Sequence, residues 1–529
     1  MTIINKIKEL REKYPYKTAL VDIKTGNKLT FSHMDIKSDR ICTYFEKNGF
    51  KKGDKIVIFM PIGLEFYLIL MAIFKMGLVA VIIEADKEME CVDRYCGAVS
   101  AEGILADRIT LFKGILLKNI RKIKKKINYK KMIESSETLP VIVKKKPKKY
   151  EKEEKEINEN SLALIKFRDI TDIGEKIFKT IMGTHGFLLG QYNVLERNMR
   201  FNKETKVYSL SPLFILSHML TGVTTFISDV DLNNFEKTEY GDVVKQINEN
   251  NIQNIILPVI IFENLAEYAL KKNIIFKNVQ TAYITGASVF PKIMKKIKKI
   301  FINAEIKVFY EISGVEPVSV LNFEDITKED LEKMKDGKGL IIGEKVKEIE
   351  FEIKETEKEV DEESDSKELK NTDRENKSTK NTWEQTGEIF VRGEHILKGN
   401  SNTDENKNRK WHKTGVSGYV DDKKRLILLG KIESKIDIEG KEYYPLAIET
   451  AFSFCKAVKK SALISKDDKF YLVLERNPEF TGNIEENPEI KELSKKFGIF
   501  KIIEEKIPVN KNCSGEADSK KLKELIDKI

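Results

Sequence analysis

Residues 55–60, Lys-Ile-Val-Ile-Phe-Met, make a short continuous apolar run closed by Pro61, the pattern of a parallel strand buried on both faces. The spacing over 64–76 suits a buried helix, Gly77 supplies its stop, and 78–83 is a second buried strand. Two buried strands with a helix between them form a βαβ unit, which requires a parallel sheet with helices covering its faces. The alternation returns later: 254–257 is apolar, 262–272 helical, 281–285 a strand, Pro291 opens a helix, and 305–310 is a further strand. The expected class is α/β with doubly wound parallel sheets.

At 529 residues the chain exceeds what a single core holds and splits into domains. A restart falls near Gly430, where 426–429 reads as a strand, 431–445 as a strand pair around a Gly turn, and 448–454 as a helix. The expected division is a large N-terminal domain, 1–430, that includes a small β-barrel-like part, and a smaller α+β domain, 431–529, acting as a mobile lid. Charged stretches near 118–160 and 353–383 are poor in apolar residues and read as solvated insertions, with a docking tail as the functional alternative.

The chain is 41% hydrophobic and 33% charged, and its net charge of +9 is Lys scattered among acidic neighbours, so no nucleic-acid partner is expected. Cys42, Cys91, Cys96, Cys455 and Cys513 form no paired framework or zinc spacing, which fits reduced thiols and a cytoplasmic location. The N-terminus lacks the pattern of a secretory signal. The apolar stretch 66–83 is interrupted by Lys75 and Gly77, so no transmembrane segment is expected. His33, His185, His218, His395 and His412 are too dispersed for a metal site, and His185 is expected to serve structure.

Several segments occur in an informative order: 184–195 (Thr-His-Gly-Phe-Leu-Leu-Gly-Gln-Tyr-Asn-Val-Leu), 211–231, 285–291 (Thr-Gly-Ala-Ser-Val-Phe-Pro), 386–393 (Thr-Gly-Glu-Ile-Phe-Val-Arg-Gly), 412–422 and 507–525. With the N-terminal stretch 18–61, this series resembles the adenylate-forming (AMP-binding) superfamily of acyl-CoA synthetases and adenylation enzymes across essentially the whole chain. Within it, 184–195 followed by Ser-Pro-Leu-Phe looks most like the fatty-acyl ligases and olefin-biosynthesis β-lactone synthetases. The resemblance implies a carboxylate joined to ATP with Mg²⁺, giving an acyl-adenylate and pyrophosphate.

It also implies four devices, and each is altered. A Gly- and hydroxyl-rich phosphate loop maps to 171–180, where Thr171, Gly174 and Lys179 remain, Ile173 and Lys176 stand where glycines belong, and Glu175 replaces a hydroxyl. Counting from 164–167 shifts the register by a few residues without restoring the cradle. The adenine and magnesium segment maps to Tyr310, Ser313 and Gly314, with Gly314 at the Mg carboxylate position and Glu311 or Glu316 as the candidate substitute ligand. Gly286 belongs to the same remnant. The ribose-binding Thr-Gly-Asp maps to Thr414, Gly415 and Val416, and Lys431 replaces the hinge Arg. The catalytic Lys position falls on Glu516, an inversion of charge, with Lys511, Lys520 and Lys521 displaced from it.

The losses coincide at functional positions while Gly415, Gly418 and Pro445 stay recognisable, so the favoured expectation is an impaired or inactive relative with no resident cofactor. It would retain an acyl or carboxylate ligand, or a partner enzyme. The segment 213–216 near His218, with the strand ending at Tyr310, is the candidate acyl pocket, with ordinary core packing as the alternative. The second expectation is an active ATP-dependent acyl ligase using ATP and Mg²⁺. The third is binding of an anionic partner by the Lys-rich segment.

Overall fold

The computed structural model describes residues 2–137, 157–172, 175–286, 288–312, 315–354, 386–396, 398–399, 411–509 and 517–527, with the backbone alone at 168–172 and 175–177. Two sheets organise it. In the larger, of 13 strands, six run parallel: Thr18–Asp22, Thr224–Ile227, Lys206–Ser209, Asn254–Pro258, Thr281–Thr285 and Glu305–Ile312. Beyond Glu305–Ile312 it continues antiparallel through Val315–Asn322, Leu340–Lys345, Arg425–Lys431, His412–Val420, Gly387–Gly393 and Ile349–Lys354.

The second sheet, of 7 strands, has a parallel centre formed by Leu162–Asp172, Val79–Ile83, Lys55–Phe59, Gly103–Ala106 and Lys125–Asn128. The helices Phe31–Lys47, Leu64–Lys75, His185–Met199 and Pro212–Thr221 share one apolar cluster with residues of both sheets. Every residue of Leu64–Lys75 except Glu65 and Lys75 is buried, which accounts for an apolar stretch with no polar face. Gly77, at φ +65°, turns the chain from this helix into Val79–Ile83. No helix of the described residues is long and apolar enough to cross a membrane.

Toward the C-terminus, Val458–Lys466, Lys469–Arg476 and Ile499–Glu504 form a separate three-stranded sheet packed with the helices Pro445–Phe452 and Pro488–Phe497. It meets the larger sheet's helices through Lys292 Nζ, which donates to the carbonyls of Val458 at 2.6 Å and Cys455 at 3.3 Å. Cys42, Cys91, Cys96 and Cys455 are free thiols, and Cys513 lies outside the described residues.

The Lys-rich stretch corrects the sequence reading. Residues 118–137 are built into the fold as the helices Lys118–Lys122 and Tyr129–Glu137 around the edge strand Lys125–Asn128. Ile120, Ile123, Ile127 and Met132 are buried, so the lysines occupy outward positions and the charge density hides the apolar spacing beneath it. Residues 138–156 and 355–385, the remainder of the two charged stretches, lie outside the described residues apart from short flanks.

Candidate functional site

In a parallel sheet, ligands bind beyond the carboxyl ends of the strands. Here Thr281–Thr285 runs out into Gly286, and its neighbour Glu305–Ile312 ends at Tyr310, Glu311 and Ile312. The ladder to Val315–Asn322 breaks register between Tyr310 and Ile312, at Glu311, and such irregularities re-aim a side chain. Burial raises the Glu311 carboxyl well above the usual range, and the nearby Glu316 charge raises it further. A hydrogen bond from the Gly286 backbone amide and the charge of Lys166 offset this in part. Glu311 Oε1 is buried without a hydrogen-bond partner among the described residues. A carboxyl buried beside a second carboxyl is disfavoured in its charged form, so the end of the two strands is poor in ionised oxygen at Glu311.

Lys166 comes from Leu162–Asp172 of the second sheet, which places the base of the segment expected to be a phosphate loop beside this strand end. That segment is a hairpin, Leu162–Asp172 against Glu175–Thr184, with Asp172 opposite Glu175 at its tip. The N–H groups facing across it are bonded to the other strand. Thr171 lies in the first strand, where only its backbone is described, and Lys179 is exposed opposite Arg168. The hairpin ends at Thr184, whose Oγ1 accepts from Phe187 N at 3.1 Å and caps His185–Met199. His185 is buried against the edge of Phe74 and lowered by burial to about 4, so it is a neutral core residue, in agreement with its expected structural role.

The third segment lies in the antiparallel arm. Thr414 Oγ1 donates to Ile389 O at 2.5 Å and accepts from Val416 N at 3.2 Å. Gly415, at φ +72°, gives its N–H to Glu388 Oε1 at 2.9 Å, and Lys413 lies 3.6 Å from the same buried carboxylate. Val416 is buried in the core of the large sheet and sits opposite Lys431 in the adjacent strand. The fold therefore brings Val416 and Lys431 together, and separately Gly286, Tyr310, Glu311 and Glu316. Gly174, Ser313, Gly314 and Glu516 fall outside the described residues, as does Lys511.

The sequence named Glu311 only as a substitute metal ligand and assigned no part to Glu388. A carboxylate immediately after an apolar strand was the available signal for the first, and the Glu of Thr-Gly-Glu for the second. Among the described residues no group of three or more His, Cys, Asp or Glu side chains could hold a metal ion. The candidate acyl pocket is core: Leu213, Phe214, Ile215 and Leu216 are all buried, and His218 is enclosed by Phe201 and Phe214 and lowered by burial to about 3.

Residues 7–167 match the family described as AMP-binding enzyme. No curated protein matches the chain. Among solved structures, the ATP-bound MatB from Rhodopseudomonas palustris superposes with a TM-score of 0.74 at 15% identity, over 99% of each chain. The fold is that of the adenylate-forming enzymes. Klebsiella oxytoca NpsA in complex with 3-hydroxyanthranilyl-AMSN gives 0.73 at 13% identity over 99% of each chain. The o-succinylbenzoate CoA synthetase MenE from Bacillus subtilis, in complex with ATP and magnesium ion, gives 0.73 at 17% identity over 96% of this chain and 97% of that one. The AMP-binding match ends within Leu162–Asp172, the first strand of the hairpin.

Proposed function

We propose that this chain is an adenylate-forming family protein that has lost acyl adenylation while keeping the fold. The observation that carries the reading is the Glu311 side chain at the end of Glu305–Ile312, whose Oε1 is buried without a hydrogen-bond partner among the described residues and whose carboxyl is raised by that burial and by Glu316. The described residues suit neither ATP nor Mg²⁺. A polyanion arriving at this strand end meets Glu316 beside Glu311, with Lys166 as the cation acting on Glu311. Val416 offers no acceptor to a ribose hydroxyl, at a cost of about 1–3 kcal/mol for each donor left unpaired. A protonated Glu311 is also a poor ligand for a hard cation, which takes ionised oxygens.

A second reading is favoured by the same pair: Glu311 beside Glu316 is an arrangement that a divalent cation would ionise and bind, making the chain an active ATP-dependent carboxylate ligase with altered ligands. Thermal unfolding with and without Mg-ATP separates the two. A bound nucleotide stabilises by about 2.7 kcal/mol at a hundredfold excess over its Kd. The expected result is an unchanged Tm and no carboxylate-dependent exchange of pyrophosphate into ATP; a clear upward shift that requires both metal and ATP establishes the second reading instead.

A further inference from the structure

We propose that the surface around the helix Arg108–Gly114 docks on an anionic lipid membrane. Asp107 caps this helix, its Oδ1 accepting from Ile109 N at 2.8 Å and Thr110 N at 3.0 Å. Leu111 and Leu117 turn inward against the core of the second sheet. Ile109, Phe112, Ile115 and Leu116 turn outward and are 68%, 75%, 50% and 85% exposed. Among the described residues nine large apolar side chains are exposed, so four within eight positions make a patch rather than scatter. Ile109 and Phe112 are spaced i, i+3 on the helix, and Ile115 and Leu116 follow in the turn directly after Gly114.

The charges around the patch select the partner. Residues 108–133 contain ten Lys and Arg and no Asp or Glu. Eight of the ten are exposed, including Arg108, Lys113, Lys118, Arg121 and Lys122 next to the apolar side chains. An apolar face ringed by cations is the chemistry of an interfacial anchor: the side chains enter the acyl boundary and the cations meet lipid phosphates. Nucleic acid fits less well, because single strands are held by stacked aromatics and the patch supplies Phe112 alone. A second copy would bring the same cations face to face.

Flotation of the full chain with vesicles tests this. Binding is expected to phosphatidylcholine vesicles containing roughly one-third phosphatidylglycerol and not to phosphatidylcholine alone, and to weaken as NaCl rises from about 0.05 to 0.3 M. Phe112→Ser with Leu116→Ser should abolish flotation while leaving the circular dichroism and Tm unchanged. Lys118→Gln and Arg121→Gln should each weaken it about fivefold. The proposal is overturned if the protein does not float with anionic vesicles, if the Ser variant floats as well as the parent, if single-stranded RNA binds more tightly than the vesicles, or if the Ser variant instead dissolves a dimer seen by light scattering.

Discussion

At the scale of single residues, Glu311 shows how one side chain changes what a strand end can receive. Its carboxyl is raised by burial and by Glu316, so the folded protein holds a proton there that the unfolded chain gives up near the ordinary Glu value of about 4.3. A raised carboxyl contributes stability that is fully present below the unfolded value and is lost as pH rises through the folded one. Glu311→Gln keeps the shape and removes the titration. The variant is expected to exceed the parent in stability by about 1–3 kcal/mol near pH 8, with the gap closing toward pH 5, in urea unfolding at the two pH values. Parallel curves would show that Glu311 is solvated and that its contact with Gly286 carries no weight. This residue was hard to read from sequence because burial and the approach of Gly286 are properties of the register, and a single Glu in an apolar strand does not announce which way the bulge turns it.

At the scale of elements, the helices and strands were legible wherever apolar periodicity ran without interruption. The runs at 55–60, 78–83, 254–257 and 281–285 fall on strands, and Pro291 opens the helix Pro291–Ile300. Reading failed at 118–137, where Ile120, Ile123 and Ile127 are outnumbered by lysines and composition outweighed spacing. The contact that ties Lys328–Lys335 to the antiparallel arm was also invisible, because its partners are distant in sequence. Arg425 reaches Asp330 through two hydrogen bonds of 2.9 and 2.7 Å and also Asp421 at 2.7 Å, while Asp330 accepts from Thr327 N at 2.9 Å. The Arg425 guanidinium holds the Asp330 carboxyl far below the usual range. Its contribution is therefore present above about pH 4 and is lost as pH falls below that. Arg425→Met leaves the buried Asp330 with Lys423 Nζ, 3.3 Å away, as its remaining cation, and an equilibrium denaturation series should register a loss of about 3 kcal/mol. A loss below about 1 kcal/mol would mean that the pair only offsets its own desolvation.

At the scale of the whole molecule, the proposed site draws on distant segments: the 162–184 hairpin, the end of Glu305–Ile312, the His412–Val420 strand and the C-terminal segment before Ser519–Asp527. The packing links the first two, since Lys166 acts on Glu311 across the two sheets, while Val416 separately faces Lys431 across adjacent strands. Fold and site thus make different demands: the first asks for buried apolar faces, which Val416 and Tyr310 still serve, and the second for particular polar groups at a few positions. This separation explains why the architecture was legible from sequence while the chemistry had to be inferred from departures at Ile173, Glu175, Lys176, Gly314, Val416 and Glu516. It also governs what repair can do. A transition-state donor is worth ~10²–10³ in rate, but only for substrate already held in place. Glu516→Lys alone should therefore leave carboxylate-dependent pyrophosphate exchange at background, because Val416 still lacks a ribose acceptor and the Glu311 carboxyl still stands buried at the strand end. Recovery of exchange by that single substitution would mean that nucleotide binds despite these two residues, and that the proposed loss of adenylation resides in one charge.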